Sequence, residues 1–241
     1  MRSTAIRSDT MVPALRAALA CAALALPAMA HGEGEPPGAP ATTACPGADT
    51  WNREHPGESP EAIARRDAAR GFANPELRAQ LQERVDADQR ARTAYLASPH
   101  DPEVRRRVLE VDSENLAWLR ILVADKGIPT AADVGESGVK WAWLLVQHAD
   151  RDPRLQASVL GTFVKRYEAG ELPADDLARL NDRVLLALGR PQRFGTQFDW
   201  LSGHFEPRGG GDAAQFDANR RKFGLMPLAD YACMMNARLG H

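Results

Sequence analysis

Cysteine is scarce in this sequence, with three residues in 241. Cys21 lies near the N-terminus, so only Cys45 and Cys233 lie beyond the first 30 residues. In an oxidising compartment these two can pair, and the bond would join the start of a domain to its last helix. Closing so long a loop would stabilise the chain by roughly 4–5 kcal/mol. The alternative is two unpaired thiols.

Long apolar runs are absent after the N-terminal segment. Three arginines precede an apolar run over 17–26, which is followed at 28–30 by the small-x-small triplet that signal peptidases cleave. The run has about half of the ~20 residues that span a bilayer. We therefore predict a cleaved signal peptide over 1–30, no membrane span after cleavage, and a periplasmic or secreted protein that starts at His31. Met11 is an alternative start.

The sequence also lacks an excess of positive charge. It has 30 Lys and Arg against 32 Asp and Glu, and removing residues 1–30, with their three arginines and one aspartate, leaves 27 against 31, a net charge of −4. Without a basic stripe the chain lacks the electrostatic signature of nucleic-acid binding. The remaining 211 residues suit one well-buried domain.

Several catalytic signatures are missing. The sequence contains neither G-x-S-x-G nor H-E-x-x-H, and the glycines at 209–211 are not followed by the Lys and Ser/Thr of a P-loop. His204 and Glu206 lie far along the chain from His148, which gives zinc little support. We expect neither a metal nor a cofactor.

Composition divides the remaining chain into two parts. Residues 31–60 are rich in Gly, Pro, Glu and Thr, and Trp51 is almost their only large apolar residue. Such a segment cannot bury enough surface to offset its ordering entropy, so we expect a flexible leader, with Cys45 and Trp51 as candidate anchors. We assign the folded domain to residues 61–241.

The domain has the periodicity of helices. Apolar residues recur at spacings of three and four, and no stretch sustains a period of two. Short links favour antiparallel neighbours, so we predict an all-α fold, a single domain of about six to seven antiparallel helices with a loop over 190–212. The main helices are predicted over 75–97, from Asp101-Pro102 to Gly127, from Thr130 or Glu136 to His148, from Asp152-Pro153 to Gly170, from Pro173 to Gly189, near 215–223 and over 227–239.

Polar residues interrupt the helix faces that the pattern would bury. Unpaired polar groups cost several kcal/mol when buried, so these side chains either form internal salt bridges or line a polar pocket. Asp182 and Arg183 are adjacent on one helix and cannot pair well with each other, so we expect one of them to reach Arg92 or Asp88 on another helix. The polar positions are Asp88, Gln89 and Arg92; Asp112 and Asn115; Gln147, His148 and Asp150; Asp182 and Arg183; and, on the loop, Thr196 and Gln197.

His148 is the candidate centre of a site. It ends the most apolar segment of the domain, and a helix C-terminus favours the imidazolium form. As an exported hydrolase or other acid–base enzyme, the protein would use His148 as acid or base. Asp150 or Asp182 would orient the ring, and Arg92 or Arg183 would hold an anionic group.

Two other classes of function fit the same residues. In a ligand-binding module, His148, Gln197, Arg183 and Asp88 would hold a small polar or amide-bearing molecule. In a structural or interaction protein, the polar side chains would only pair with one another inside the core. The sequence identifies no protein partner.

The same residues carry a resemblance to a known family. The elements D-Q-x-x-R, D-x-x-N, Q-H-A-D, D-R-V, G-T-Q and R-x-x-x-G-L begin, in that order, at Asp88, Asp112, Gln147, Asp182, Gly195 and Arg220. Over about residues 80–231 the chain resembles an uncharacterised bacterial family, DUF6624. Phe194 replaces the tyrosine associated with the position before G-T-Q, so no hydroxyl is available there. The resemblance implies no activity, but it marks the residues that the helical pattern selects.

Overall fold

The computed structural model describes residues 45–57, 59–201 and 203–239. The predicted signal peptide and residues 31–44 of the predicted leader lie outside the described residues. The described elements are α1 (Pro46–Glu54), α2 (Pro60–Arg70), α3 (Pro75–Ala97), α4 (Pro102–Asp125), α5 (Ala131–Gln147), α6 (Pro153–Glu168), α7 (Ala174–Ala187), β1 (Phe198–Leu201), β2 (His204–Pro207), α8 (Ala213–Lys222) and α9 (Leu228–Leu239). The all-α prediction is confirmed, and the described part adds one small antiparallel hairpin.

Side-chain caps fix the starts of three long helices where the sequence predicts them. Asn74, Asp101 and Asp152 precede α3, α4 and α6, and each accepts hydrogen bonds from backbone N–H groups of the first turn. A proline follows each cap, where its missing N–H costs no hydrogen bond. These caps set the point at which each helix enters the core.

The structure differs from the predicted leader at α1. This helix lies inside the segment 31–60 but buries Ala48 and Cys45, and it packs against α9. The sulfur atoms of Cys45 and Cys233 are 1.99 Å apart, with a Cα–Cα distance of 5.9 Å. The composition of a 30-residue segment carries no information about a covalent partner 188 residues away.

The structure also differs from the predicted loop over 190–212, which contains the hairpin β1–β2. Phe198 at the start of β1 is fully buried, and Asn236 of α9 bonds to both backbone groups of Phe205 in β2. Each strand has four residues. That length is too short for a period of two to stand out in the sequence.

The two largest apolar clusters among the described residues organise the fold. The larger is formed by α3, α4, α5, α6 and α7, and the smaller by α1, the hairpin, α8 and α9. Within the described residues, none of the helices combines the length and the apolar character needed to cross a bilayer.

The central helix α5 is buried along most of its length and ends at His148. Gly135 interrupts it with a φ of +76°, and the carboxylate of Asp67 accepts hydrogen bonds from the backbone N–H groups of Glu136 and Ser137 just beyond the kink. The helix thus has two N-terminal caps, at Thr130 and at Asp67, which explains why the sequence offers two starting points. Because α5 is buried along most of its length, His148 at its C-terminal end lies next to the neighbouring helices.

Candidate functional site

Four polar side chains meet where α3, α4 and α5 come together. We call Asp88, Arg92, Asp112 and His148 the His148 cluster. The carboxylate oxygens of Asp88 lie 2.9 and 3.0 Å from His148 Nδ1, and Arg92 Nη2 lies 2.6 Å from Asp112 Oδ1 and 3.2 Å from Asp88 Oδ1. Asp88 is 1% exposed and His148 is 7% exposed. The predicted pairing of Asp88 and Arg92 with α7 is therefore replaced by pairing with α4 and α5.

The environment of His148 sets the charge of its ring. Burial, together with the charge of Arg92, lowers the pKa of His148 against the opposing effect of Asp88, so the ring is neutral at neutral pH. Contacts with His148 and Arg92 outweigh burial and lower the pKa of Asp88. Nδ1 lies between the Asp88 carboxylate and Arg92 Nε, which donates to it at 2.9 Å, so either ring tautomer has a partner at Nδ1. Nε2 is buried and has no protein partner.

Asp112 has an opposite balance. Burial raises its pKa to about 6, Arg92 opposes the rise, and the charges of Asp88 and Asp150 reinforce it. The short contact with Arg92 does not outweigh the effect of burial on the pKa of Asp112, because that guanidinium is shared with Asp88. Asp112 is therefore the carboxyl group of the cluster that changes charge near pH 6.

A second ion pair adjoins the cluster. Arg183 Nη1 lies 2.5 Å from both carboxylate oxygens of Asp150, and Gln156 Nε2 contacts Asp150 Oδ1 at 3.4 Å. The charge of Arg183 contributes to the lowered pKa of His148. The Asp150 side chain is 58% exposed and that of Arg183 is 12% exposed. This pair is the solvent-facing rim of the His148 cluster.

Buried polar atoms without a protein hydrogen-bond partner concentrate in this region. Eight such side-chain atoms occur among the described residues, and five belong to residues of the cluster and its surroundings. Leaving a buried donor or acceptor unsatisfied costs about 1–3 kcal/mol, so a concentration of them calls for a cause. The five are Asn115 Nδ2, Gln147 Oε1, His148 Nε2, Gln156 Oε1 and Arg183 Nε.

Asp182 and Thr196 belong to a separate network. The fully buried Asp182 carboxylate accepts hydrogen bonds from the backbone N–H groups of Arg193, Phe194 and Thr196, at 2.7–3.2 Å, and from Thr196 Oγ1 at 2.9 Å. Burial raises its pKa, against the effect of these donors. Asp182 thus anchors the loop after α7, and the structure places Asp88, rather than Asp150 or Asp182, at His148 Nδ1.

Gln197 lies in the same loop network. Its backbone N–H donates to Gln192 Oε1 at 2.8 Å, and its side chain donates to the carbonyl of Arg179 at 3.2 Å. Arg220 closes the loop from the other side by donating to the carbonyls of Phe194 and Met226. Among the described residues, no hydrogen bond joins this loop network to the His148 cluster.

The predicted site residues therefore fall into two groups. Gln89 donates to Asp88 at 3.1 Å, and Asn115, one turn from Asp112, accepts from Arg84 at 3.3 Å. These residues and Gln147 border the His148 cluster, whereas the loop residues border Asp182. Sequence reasoning missed Gln156 and Gln192, both buried. Gln156 follows Leu155, which faces the core from α6. Asn115 is selected because it is a polar residue within an apolar helical pattern, and the same criterion selects Gln156.

The His148 cluster does not coincide with the cleft that the structure contains. A cleft of about 340 Å³ lies between α7, α8 and the loop at 190–193, and none of the predicted site residues lines it. In the described ranges, no group of three or more His, Cys, Asp or Glu side chains is arranged to hold a metal ion.

Comparison with known proteins identifies one family. A family of unknown function, DUF6624, matches residues 75–241, which is more than half of the chain. No curated protein and no solved structure matches the chain. The chain belongs to the DUF6624 family, as its sequence elements indicated.

The raised pKa of Asp112 predicts a pH-dependent effect of Asp112→Asn. A carboxyl group whose pKa is higher in the folded state than the ordinary 3.8 contributes fully below pH 3.8, and its contribution is lost as the pH rises through about 6. The variant should therefore gain stability relative to wild type between pH 4 and pH 7, by about 3 kcal/mol. Urea unfolding at several pH values measures this change.

Ser113→Ala provides the matched control, because Ser113 is exposed on the same helix and does not titrate. Its stability should follow the wild-type curve at a constant offset. A pH-independent difference between Asp112→Asn and wild type would contradict the assigned balance of charges.

Proposed function

We propose that this DUF6624 protein binds a small polar ligand at the His148 cluster, with His148 Nε2 hydrogen-bonded to a polar group of the ligand. One observation carries the proposal. Nε2 is buried and has no protein partner, while Asp88 and Arg92 both contact Nδ1. A ligand that hydrogen-bonds to Nε2 would remove the cost of this unsatisfied atom.

The surrounding atoms describe the ligand further. Gln147 Oε1 and Gln156 Oε1 are unsatisfied acceptors, whereas Asn115 Nδ2 and Arg183 Nε are unsatisfied donors. A molecule with both kinds of group, such as an amide or a polyol, matches this set. The partly exposed Arg92, Asp112 and Arg183, at 12–15% side-chain exposure, offer the route by which it would enter.

An acid–base enzyme is the second candidate, and the pairing of Asp88 with His148 favours it. With Asp88 and Arg92 both at Nδ1, Nε2 is the ring nitrogen left to exchange a proton with a substrate. Asp112, with its pKa near 6, would supply a second proton carrier beside it. Turnover of a bound compound distinguishes this candidate from simple binding.

We also propose that the protein is exported, as the charge order and the small-x-small triplet of residues 1–30 predict. The pairing of Cys45 with Cys233 supports this proposal, because disulfides persist in oxidising compartments and are rare in the cytosol. The bond closes a loop with a sequence separation of 188, for which chain entropy gives about 5 kcal/mol of stabilisation.

The ligand proposal predicts that His148→Ala abolishes a ligand-induced thermal shift. We would screen purified wild-type protein against amino acids, primary amides, hydroxy acids and sugars. A compound present at about 100 times its dissociation constant should raise the melting temperature by about 5 °C or more. The same compound should leave His148→Ala unshifted, because that variant lacks Nε2.

His100→Gln is the control, since His100 is exposed in the turn between α3 and α4. It should shift like wild type. A compound that stabilises all three proteins equally binds elsewhere and contradicts the proposal. If no compound stabilises the wild type and His148→Ala only lowers the melting temperature, the polar side chains form a purely structural network. Loss of the compound from solution, followed by NMR, would identify the enzyme.

The export proposal predicts two features of the protein recovered from the periplasm or the culture medium of a bacterial host. The N-terminus should be His31, and the intact mass should correspond to a chain that has lost two hydrogen atoms on forming the disulfide. Mass spectrometry before and after reduction measures both. A chain that stays in the cytosol with its first 30 residues and three alkylatable thiols would contradict export.

A further inference from the structure

The cleft beside the loop at 190–193 differs in chemistry from the His148 cluster. Arg190 and Arg193 line it together with Asn181, Gln192 and Asn219, so its wall carries two cationic groups and three amides. No carboxylate is among its lining residues. At about 340 Å³, its volume lies at the lower end of the range for small-molecule sites.

The two arginines are available to an anion. Both are exposed, and within the described part of the chain no ion pair engages either of them. The Arg193 guanidinium lies over the rings of Phe194 and Phe223, at 5.3 and 5.5 Å from their centroids. This stacking restricts the side chain in advance and lowers the entropy cost of binding.

The three amides divide into two that are engaged and one that is not. Gln192 Nε2 donates to the carbonyls of Gln197 and Arg208 at 2.9 Å, and Asn219 Nδ2 donates to the carbonyl of Arg193 at 2.8 Å. These bonds hold the wall in place. Asn181 Oδ1 is buried and accepts no protein hydrogen bond. The cleft therefore presents an unused acceptor beside two unused cations.

We propose that this cleft is a second binding site, specific for a small dicarboxylate that carries a hydroxyl or amino group. The planar guanidinium fork matches the geometry of a carboxylate, and two such forks suit two carboxylates. The hydroxyl or amino group donates to Asn181 Oδ1. Hydrophobic or cationic ligands do not fit, because the wall offers two positive charges.

This site is independent of the proposed function at His148. None of its lining residues belongs to the His148 cluster, and among the described residues no hydrogen bond joins the two. His148→Ala should therefore leave dicarboxylate binding unchanged, so that failure of either proposal is visible without the other.

The test uses malate and succinate, which differ only by one hydroxyl group. Isothermal titration of the purified protein should show malate binding at one saturable site, with succinate weaker by about two- to tenfold, the worth of one neutral hydrogen bond. The double variant Arg190→Met/Arg193→Met should weaken both ligands by more than about tenfold, since it removes charge-assisted bonds. Asn181→Leu should remove only the preference for malate.

Arg221→Met is the matched control, because Arg221 is an exposed arginine of α8 outside the cleft. It should bind both ligands like wild type. Equal weakening by Arg221→Met and by the double variant would mean non-specific attraction to positive charge and would overturn the proposal. Absence of saturable binding of either acid to wild-type protein at millimolar concentration would overturn it as well.

Discussion

The contact between the Asp88 carboxylate and His148 Nδ1 links the helices of the main core to the candidate chemistry. A carboxylate that is 1% exposed keeps its charge only if donors surround it, and here Arg92 and Gln89 supply them beside the imidazole. Because α3 brings the carboxylate and α5 brings the ring, their packing and the electrostatics depend on each other. The position of Nδ1, the unsatisfied Nε2 and the shared use of Arg92 all follow from this one pair.

Helix α7 separates the two polar networks of the molecule. Successive residues on a helix point about 100° apart, so Asp182 and Arg183 reach different surroundings although they are neighbours in the chain. Asp182 holds the loop that carries Thr196 and Gln197, and Arg183 meets Asp150 at the rim of the His148 cluster. The loop network is saturated with internal bonds and therefore acts as a structural support. The His148 cluster keeps several unsatisfied atoms and therefore remains the candidate site.

The sequence predicts the long helices well, because Asn74, Asp101 and Asp152 are capping residues that directly precede a proline at the start of each helix. It also selects His148 and Asp88 as buried polar residues. It does not predict that they contact each other, because a helical stripe specifies which residues face inward but not which partner they meet. The sequence did offer the pairing of Cys45 with Cys233, but the composition of residues 31–60 did not predict that the residues after Cys45 form α1. The hairpin depends on a residue of another element, Asn236 of α9.

The protonation state of His148 is the most direct test of the account. Long-range ¹H–¹⁵N correlation spectra of the ring distinguish a protonated nitrogen from a bare one, and His148→Ala assigns the signals. We predict a neutral ring at pH 7, with one protonated and one bare nitrogen. A ring with both nitrogens protonated at that pH would mean that Asp88 outweighs burial and Arg92, and it would contradict the electrostatics assigned to the cluster.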